Sequence, residues 1–351
     1  MTTNKHHNIQ LNPSKRTFTS RLDETLLRAA QRQGVMLPYS CKNGTCGSCK
    51  GRLLAGEIDY PLHPPQALSE AECEAGNILL CQAVARTDVQ IAVREITAIK
   101  DIKICMLPAR IASKDFLSPQ VVRLRLKLPK AQHLQFLAGQ YLEVVLPGGK
   151  RRAFSIASPP HDNEELELHI RHVDGGDFTS RVFTELKVLD ILRIEGPLGT
   201  FFIRHDSKRP MLMMGGGTGF APLKAMIEYL LRKQSTRPIH LYWGAKTLAE
   251  LYDLKLPQLW ASENAHIKFT AVLSDPASED QWQGRTGLVH QALEQDYPDL
   301  SAHDVYMSGP PMMIDSARHA FISCGLPESR LFYDSFEFGA DVPIEVLAEP
   351  H

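Results

Sequence analysis

Four cysteines constrain this chain more than any other feature. Cys41, Cys46 and Cys49 fall within Pro38-Tyr-Ser-Cys-Lys-Asn-Gly-Thr-Cys-Gly-Ser-Cys-Lys-Gly51, and Cys81 follows in Leu79-Leu-Cys-Gln82. This is the spacing of thiolates around a plant-type [2Fe-2S] cluster. Three ligands within nine residues need a tight loop with little bulk. Gly44, Thr45, Gly47, Ser48 and Gly51 supply it and let backbone N–H groups approach sulfur. Cys46-Gly-Ser-Cys49 alone is also a zinc-knuckle spacing. A zinc ribbon, however, needs a second close pair, and Cys81 stands by itself beside Ile78, Leu79 and Leu80. Cys73 lies in the acidic run Ser69-Glu-Ala-Glu-Cys-Glu74, a poor place for a ligand to an already negative cluster. Cys105 and Cys324 sit in apolar elements, and all three are expected to be ordinary thiols.

A cluster loop fills only a small domain, whereas 351 residues predict two or three cores. Lys+Arg 39 against Asp+Glu 40 leaves no basic stripe for nucleic acid and no polybasic patch for a membrane. Small molecules and proteins are the expected partners. The polar start Met1–Asn8 lacks a signal-peptide core, and no apolar run nears the ~18 residues of a membrane span. With four of seven cysteines assigned to a cluster, a reducing cytoplasm is the expected location.

Residues 1–97 predict a small mixed domain: a strand at Arg16–Thr19 and a helix opening at Asp23, with Leu26, Leu27, Ala30 and Val35 on one face. The cysteine loop and strands at Arg52–Leu54, Ile78–Leu80 and Val89–Val93 follow. Residues 98–103 read as a linker. Over 104–205, Val121–Leu128 and Leu166–Val173 alternate with period two between Pro/Gly turns, an antiparallel barrel pattern. Over 206–340, apolar strands at Met211–Met214, Ile239–Trp243, Ile267–Leu273 and Val305–Met307 alternate with helical stretches, predicting a parallel sheet covered on both faces. Residues 341–351 are a tail.

Met214-Gly-Gly-Gly-Thr-Gly-Phe-Ala-Pro222 joins the first strand of the last domain to its first helix. Glycines there let a phosphate approach the backbone, and a helix N-terminus favours its charge. Gly215, Gly216, Gly217, Thr218, Gly219 and Pro222 are the candidate residues. The strict dinucleotide fingerprint fails, because Phe220 occupies its last glycine position, and glycine turns also occur without ligand.

Together with Arg152-Ala-Phe-Ser155 upstream and Gly309-Pro-Pro-Met312 downstream, this loop resembles the ferredoxin–NADP reductase superfamily. The resemblance implies a β-grasp ferredoxin domain, an antiparallel Greek-key β-barrel that binds FAD, and an α/β parallel-sheet nicotinamide domain. It makes Arg152 the flavin pyrophosphate clamp, suited to bidentate binding, and places the Ser155 hydroxyl near flavin N5. Phe154 replaces the usual Tyr, so stacking survives without the phenolic hydrogen bond. His169-Ile-Arg-His-Val-Asp-Gly-Gly-Asp-Phe-Thr179 is similar to the second flavin segment, which brings in His169, Ile170, Arg171, Gly175, Gly176 and Thr179. By themselves these histidines and Arg171 would read as a solvated strand face. Ser308, Gly309 and Pro310 are implied beside the nicotinamide, with Ser308 where many members carry cysteine. Phe336, in Leu331-Phe-Tyr-Asp-Ser-Phe336, is implied on the flavin face where nicotinamide arrives, although an aromatic at a strand end is usually core. Asp275 ends the strand Ala271–Asp275 near the expected adenosine ribose, and its charge repels a 2′-phosphate. It favours NADH over NADPH, whereas Lys246 and Arg285 could hold the phosphate.

Hydride would then pass from NADH to FAD, and single electrons from FAD through the cluster to a separate protein. This order of domains is shared by reductase components of aromatic-ring and diiron oxygenases and by the CDP-6-deoxy-Δ3,4-glucoseen reductases. Across nearly its whole length the sequence most resembles the latter, in Leu37–Gly44, Leu134–Tyr141, Leu168–His172, Glu195–Phe202 and Gly284–Val289. That resemblance implies a pyridoxamine-phosphate-dependent dehydrase as acceptor. An oxygenase component is the alternative, and a redox-sensing module is an alternative of another class.

Overall fold

The computed structural model describes residues 6–162 and 164–335. Phe336 and the tail expected at 341–351 lie outside the described residues. The chain divides into two compact units that part between Lys103 and Ile104.

The first unit contains β1 (His7–Asn12), β2 (Thr17–Ser20), α1 (Leu26–Arg32), β3 (Lys50–Ala55), β4 (Ile58–Asp59), α2 (Glu70–Glu74), β5 (Asn77–Leu79), β6 (Val84–Ala85) and β7 (Val89–Ala92). Five strands form one sheet in the order β2-β1-β7-β3-β5. β1 runs parallel to β7, and the other pairings are antiparallel. Helix α1 buries Leu26, Leu27, Ala29 and Ala30 in the core of this sheet, which is the β-grasp arrangement. The Thr25 hydroxyl caps the helix by accepting from the Arg28 N–H, so the helix starts three residues later than the sequence suggests. Val35 lies past its end yet is buried in the same core. Strand β1 is an addition to the sequence reading, because its two inward residues, Ile9 and Leu11, are diluted by polar neighbours.

The second unit opens with β8 (Cys105–Ser118), β9 (Val121–Lys127), β10 (Tyr141–Val145), β11 (Arg151–Ser155), β12 (Glu165–Arg171), α3 (Asp177–Thr184) and β13 (Ile191–Leu198). The antiparallel sheet order is β11-β10-β13-β8-β9-β12, and a bridge between Ile156 and Leu168 joins its two ends into a barrel. Along β12, Leu166, Leu168 and Ile170 enter the barrel core. The two-residue period therefore turns Glu167, His169 and Arg171 outward.

Next come β14 (Met211–Gly216), α4 (Phe220–Arg232), β15 (Ile239–Ala245), α5 (Lys255–Glu263), β16 (Ile267–Leu273), β17 (Arg285–Thr286), α6 (Val289–Asp296), β18 (Asp304–Gly309), α7 (Pro311–Ser323) and β19 (Leu331–Ser335). All six strands are parallel, in the order β17-β16-β15-β14-β18-β19. Helix residues cover both faces: Leu223, Met226 and Trp260 on one, Leu293, Ile314 and Phe321 on the other. The chain leaves β14 toward β15 on one side and returns to β18 on the other. A crevice opens at the strand ends where the direction reverses, the usual ligand position in such sheets. No helix among the described residues is long and apolar enough to cross a membrane.

Candidate functional site

The four cysteines come together as two pairs. Cys49 Sγ and Cys81 Sγ are 3.2 Å apart, and Cys41 shares a hydrogen bond with Cys46. That bond, helped by Thr45 and by the backbone N–H groups of Cys46 and Asn43, lowers the Cys41 thiol to about 5 despite its burial. The same bond and burial push the Cys46 thiol well up. The bond to Cys49, with burial, does the same to Cys81. The Ser48 N–H also points at Cys46 Sγ, at 3.4 Å. Among the described residues no three His, Cys, Asp or Glu side chains converge where one metal ion could sit. Two sulfur pairs suit two irons, one pair to each, and do not form the single tetrahedron zinc requires. Gly44 holds φ +85°, and a Cβ there would overlap the Gln82 amide at 2.1–2.4 Å. Gln82 in turn donates to the Asn43 carbonyl at 3.0 Å, tying the first ligand loop to the residue after Cys81.

In the barrel, Arg152 and Phe154 share one face of β11. The Phe154 ring packs on Phe178 of α3, with centroids 5.5 Å apart. Arg152 donates to the Arg151 carbonyl at 2.7 Å, and Asp177 in the first turn of α3 partly offsets the burial that lowers its pKa. Guanidinium and helix N-terminus therefore adjoin. No side chain caps α3, leaving its first N–H groups for an anion. The Thr179 hydroxyl bridges the Val173 and Gly176 carbonyls. A Cβ on Gly176 would lie 2.6 Å from that hydroxyl, while Gly175 sits at φ +74° in open space. This cradle of guanidinium, hydroxyl and bare backbone fits a flavin pyrophosphate. Arg152→Ala is expected to weaken FAD binding about tenfold to a hundredfold, since a charge-assisted hydrogen bond contributes roughly 1.5–3 kcal/mol. Titrating flavin-free protein with FAD checks it, and an unchanged dissociation constant removes Arg152 from the site.

Ser155 faces the opposite way from Phe154, and its Oγ lies 3.4 Å from Asp334 Oδ2 on β19. Asp334 is buried.

In the nucleotide half, strand β14 continues through Gly215 and Gly216, and the turn comprises only Gly217–Gly219. The glycine turn expected directly after Met214 thus begins at Gly217. Gly215 and Gly216 are strand residues because they pair with Trp243 and Gly244 of β15, and their neighbours leave little room for a side chain: a Cβ would meet Leu223 at 3.2 Å and Met313 at 2.6 Å, respectively. A Cβ on Gly219 would lie 2.0 Å from the Ser308 carbonyl oxygen, so the turn after β14 touches the end of β18 backbone to backbone. Thr218 is half-buried at the loop, and Pro222 is buried in the first turn of α4. Helix α4 has no side-chain cap, and among the described residues Arg171 alone comes within 4 Å of where a Gly217 Cβ would lie. The loop therefore presents bare N–H groups to an anion, as a dinucleotide phosphate requires.

The Ser308 hydroxyl is buried with no hydrogen-bond partner among the described residues, an unmet donor at the crevice that suits a carboxamide. Gly309 ends β18 and Pro310 precedes α7. Asp275 is exposed just past β16, its N–H donating to the Lys246 carbonyl at 2.9 Å. Arg285 points away, held by Asp296 and Gln295 at 2.5 Å each.

The outward face of β12 meets the nucleotide half. The Arg171 guanidinium pairs with Glu250 at 3.3 Å and stands 3.6 Å from where a Gly217 Cβ would be, at the dinucleotide loop. The His169 imidazole is fully buried between Glu167 Oε1 at 2.9 Å and the Tyr252 hydroxyl at 3.0 Å. Burial lowers its pKa, with Glu167 opposing, and burial raises that of Tyr252. A neutral ring between a carboxylate and a phenol has one consistent tautomer, in which Nε2–H donates to Glu167 and Nδ1 accepts from Tyr252. Any flavin contact from His169 falls to its backbone. The same holds for Ile170, whose side chain is in the barrel core.

Sequence reasoning missed Trp243, which stacks on Phe220 at 4.0 Å and donates to the Gly217 carbonyl at 3.0 Å. It also missed Asp334, although the resemblance singles out the strand that carries it.

Residues 9–86 match the 2Fe-2S iron-sulfur cluster binding domain, residues 108–203 the oxidoreductase FAD-binding domain and residues 213–319 the oxidoreductase NAD-binding domain. The chain is 40% identical to the CDP-6-deoxy-L-threo-D-glycero-4-hexulose-3-dehydrase reductase of Yersinia pestis, over 94% of this chain and 98% of the relative. It is 34% identical to the phenol 2-monooxygenase reductase component of Pseudomonas sp. (strain CF600), over 95% and 96%. Among solved structures, the Amycolatopsis cytochrome P450 reductase GcoB superposes with a TM-score of 0.75 at 33% identity, covering 94% of this chain and 98% of that one. The chain belongs to the iron–sulfur flavoprotein reductases, NAD(P)H-dependent oxidoreductases that join a 2Fe-2S domain to FAD-binding and NAD-binding domains.

Proposed function

We propose that this reductase draws on NADH and supplies single electrons to a separate cytoplasmic dehydrase that uses pyridoxamine phosphate to deoxygenate a CDP-hexulose. The observation carrying this choice of acceptor is the 40% identity over 94% of the chain to a reductase named for such a dehydrase. The phenol 2-monooxygenase reductase component, at 34%, favours an oxygenase as the second reading. Bound FAD takes up hydride and gives back single electrons, which a [2Fe-2S] cluster relays.

The chain's own residues hold and orient these groups. Cys41, Cys46, Cys49 and Cys81 ligate the irons. Arg152, Thr179 and the α3 N-terminus hold the flavin pyrophosphate, Phe154 offers a ring face, and Ser155 brings a hydroxyl that Asp334 can orient. Gly217–Gly219 and the start of α4 hold the NADH phosphates, and Arg171 adds a positive charge from the barrel side. Ser308 has a free hydroxyl for the carboxamide. Mixing the NADH-reduced protein with the dehydrase and its CDP-hexulose, and with an oxygenase component, tests the acceptor; rapid discharge into the oxygenase alone overturns the reading.

The preference for NADH rests on Asp275 and on Arg285 being engaged by α6. Asp275→Ser is expected to shift the kcat/KM ratio toward NADPH about tenfold, the equivalent of ~1.4 kcal/mol of removed repulsion. Steady-state kinetics with both nucleotides checks it, and an unchanged ratio removes Asp275 from the ribose site.

A further inference from the structure

We infer that Lys224 is a positioning residue for hydride transfer, fastening the helix that carries the dinucleotide loop to the strand end that carries Ser155. Lys224 lies one turn into α4, and its residue is only 7% exposed. Its Nζ is 3.3 Å from the Ala157 carbonyl oxygen, 3.2 Å from Glu167 Oε1 and 2.9 Å from Glu228 Oε2. An ammonium has three N–H donors, and each finds an acceptor here. Ala157 is two residues beyond Ser155. Glu167 neighbours Leu168, which closes the barrel by its bridge to Ile156. One buried charge thus joins the phosphate helix, the flavin strand and the closure of the barrel.

The tie continues along the outward face of β12. Glu167 bonds His169, His169 bonds Tyr252, and Arg125 reaches Glu167 from β9 at 3.4 Å. Burial would raise the Glu167 carboxyl, but His169 and Lys224 outweigh it and hold it well below the usual carboxylate range. Burial raises the Glu228 carboxyl, with Lys224 opposing.

Stability alone does not explain such a group, because a buried ion pair rarely outperforms an apolar contact of equal volume. Directional hydrogen bonds do offer register. Hydride donor and acceptor must stand about 3–3.5 Å apart, and a 1 Å error costs roughly a hundredfold in rate. The inference rests on the reductase reading above, in which nicotinamide meets flavin across this seam.

The test compares wild type, Lys224→Met and Tyr252→Phe as flavin-loaded proteins, mixed anaerobically with saturating NADH in a stopped-flow instrument. The expected result for Lys224→Met is normal flavin content, a tenfold to roughly hundredfold slower flavin reduction, and a weaker long-wavelength charge-transfer absorbance between NAD+ and reduced flavin. In flavin-free protein, amide hydrogen exchange at residues 155–157 and 217–224 should quicken. Tyr252→Phe removes one hydroxyl from the same network and should move both spectroscopic readouts in the same direction, even if Lys224→Met does not fold. Unchanged reduction rate and charge-transfer absorbance in the folded variants, with only a lower Tm, would overturn the inference. The wild-type trace keeps this separate from the reductase reading, which fails only if NADH leaves the wild-type flavin oxidised.

Discussion

Cys46→Ser is expected to abolish electron delivery to a protein acceptor while sparing flavin-level reduction of ferricyanide by NADH. Cys46 is buried, hydrogen-bonded to Cys41 and approached by the Ser48 N–H. In the proposed two-pair arrangement its sulfur would be half of one iron's protein ligands. A serine oxygen is harder, shorter-reaching and far less acidic than a thiol, so that iron loses a ligand suited to it. The hydride-handling residues belong to the other unit, which has its own cores. Visible absorbance and iron content report the cluster, and parallel assays with ferricyanide and a cytochrome report the two electron exits. Equal loss of both activities argues against the order in which FAD precedes the cluster.

Gly219→Ala should be nearly as damaging at the other end of the electron path. The new Cβ would sit 2.0 Å from the Ser308 carbonyl oxygen, 2.5 Å from its carbon and 3.0 Å from the Gly309 nitrogen. All three are backbone atoms of a central strand, so relief requires moving β18 against β14. Overpacking of this kind costs about 1–3 kcal/mol, sometimes more, and the displaced loop is the one that receives the dinucleotide. The expected outcome is a lower Tm together with a rise in the KM for NADH of about tenfold or more. Gly175→Ala is the contrasting case. At φ +74° with no protein atom within 4 Å, it incurs about 1–2 kcal/mol of backbone strain at the flavin cradle and none of the backbone clash that Gly219→Ala meets. A Gly219→Ala protein with wild-type Tm and KM would contradict the close contact of the turn after β14 with β18.

Features carried by local spacing were legible in the sequence. The cysteine loop places three candidate ligands within nine residues of a segment that matches a 2Fe-2S domain, and the glycine loop announces itself between an apolar strand and an amphipathic helix. The period-two pattern in Leu166–Val173 likewise revealed a strand, and the structure gives it a barrel side and an outward side whose Glu167 and His169 are also buried. What the outward side touches was not legible. Glu167 and Lys224 are 57 positions apart, and His169 and Tyr252 are 83 apart, so only the folded topology brings them together. His169 read either as a solvated strand residue or as a flavin neighbour; its imidazole is not solvated, because it is buried with Glu167 and Tyr252 engaging both nitrogens. Trp243 read as strand core, which it is, but its N–H also holds the Gly217 carbonyl. The glycine run concealed its own boundary: Gly215 and Gly216 look like loop residues and are in the strand because they pair with β15, and they are glycine where helix side chains crowd them.

The first unit contains all four candidate ligand cysteines, and among the described residues its apolar core runs from Ile9 to Val93. A substitution inside that core is therefore expected to unsettle the cysteine loop before it disturbs the cores that carry the FAD-binding and NAD-binding halves.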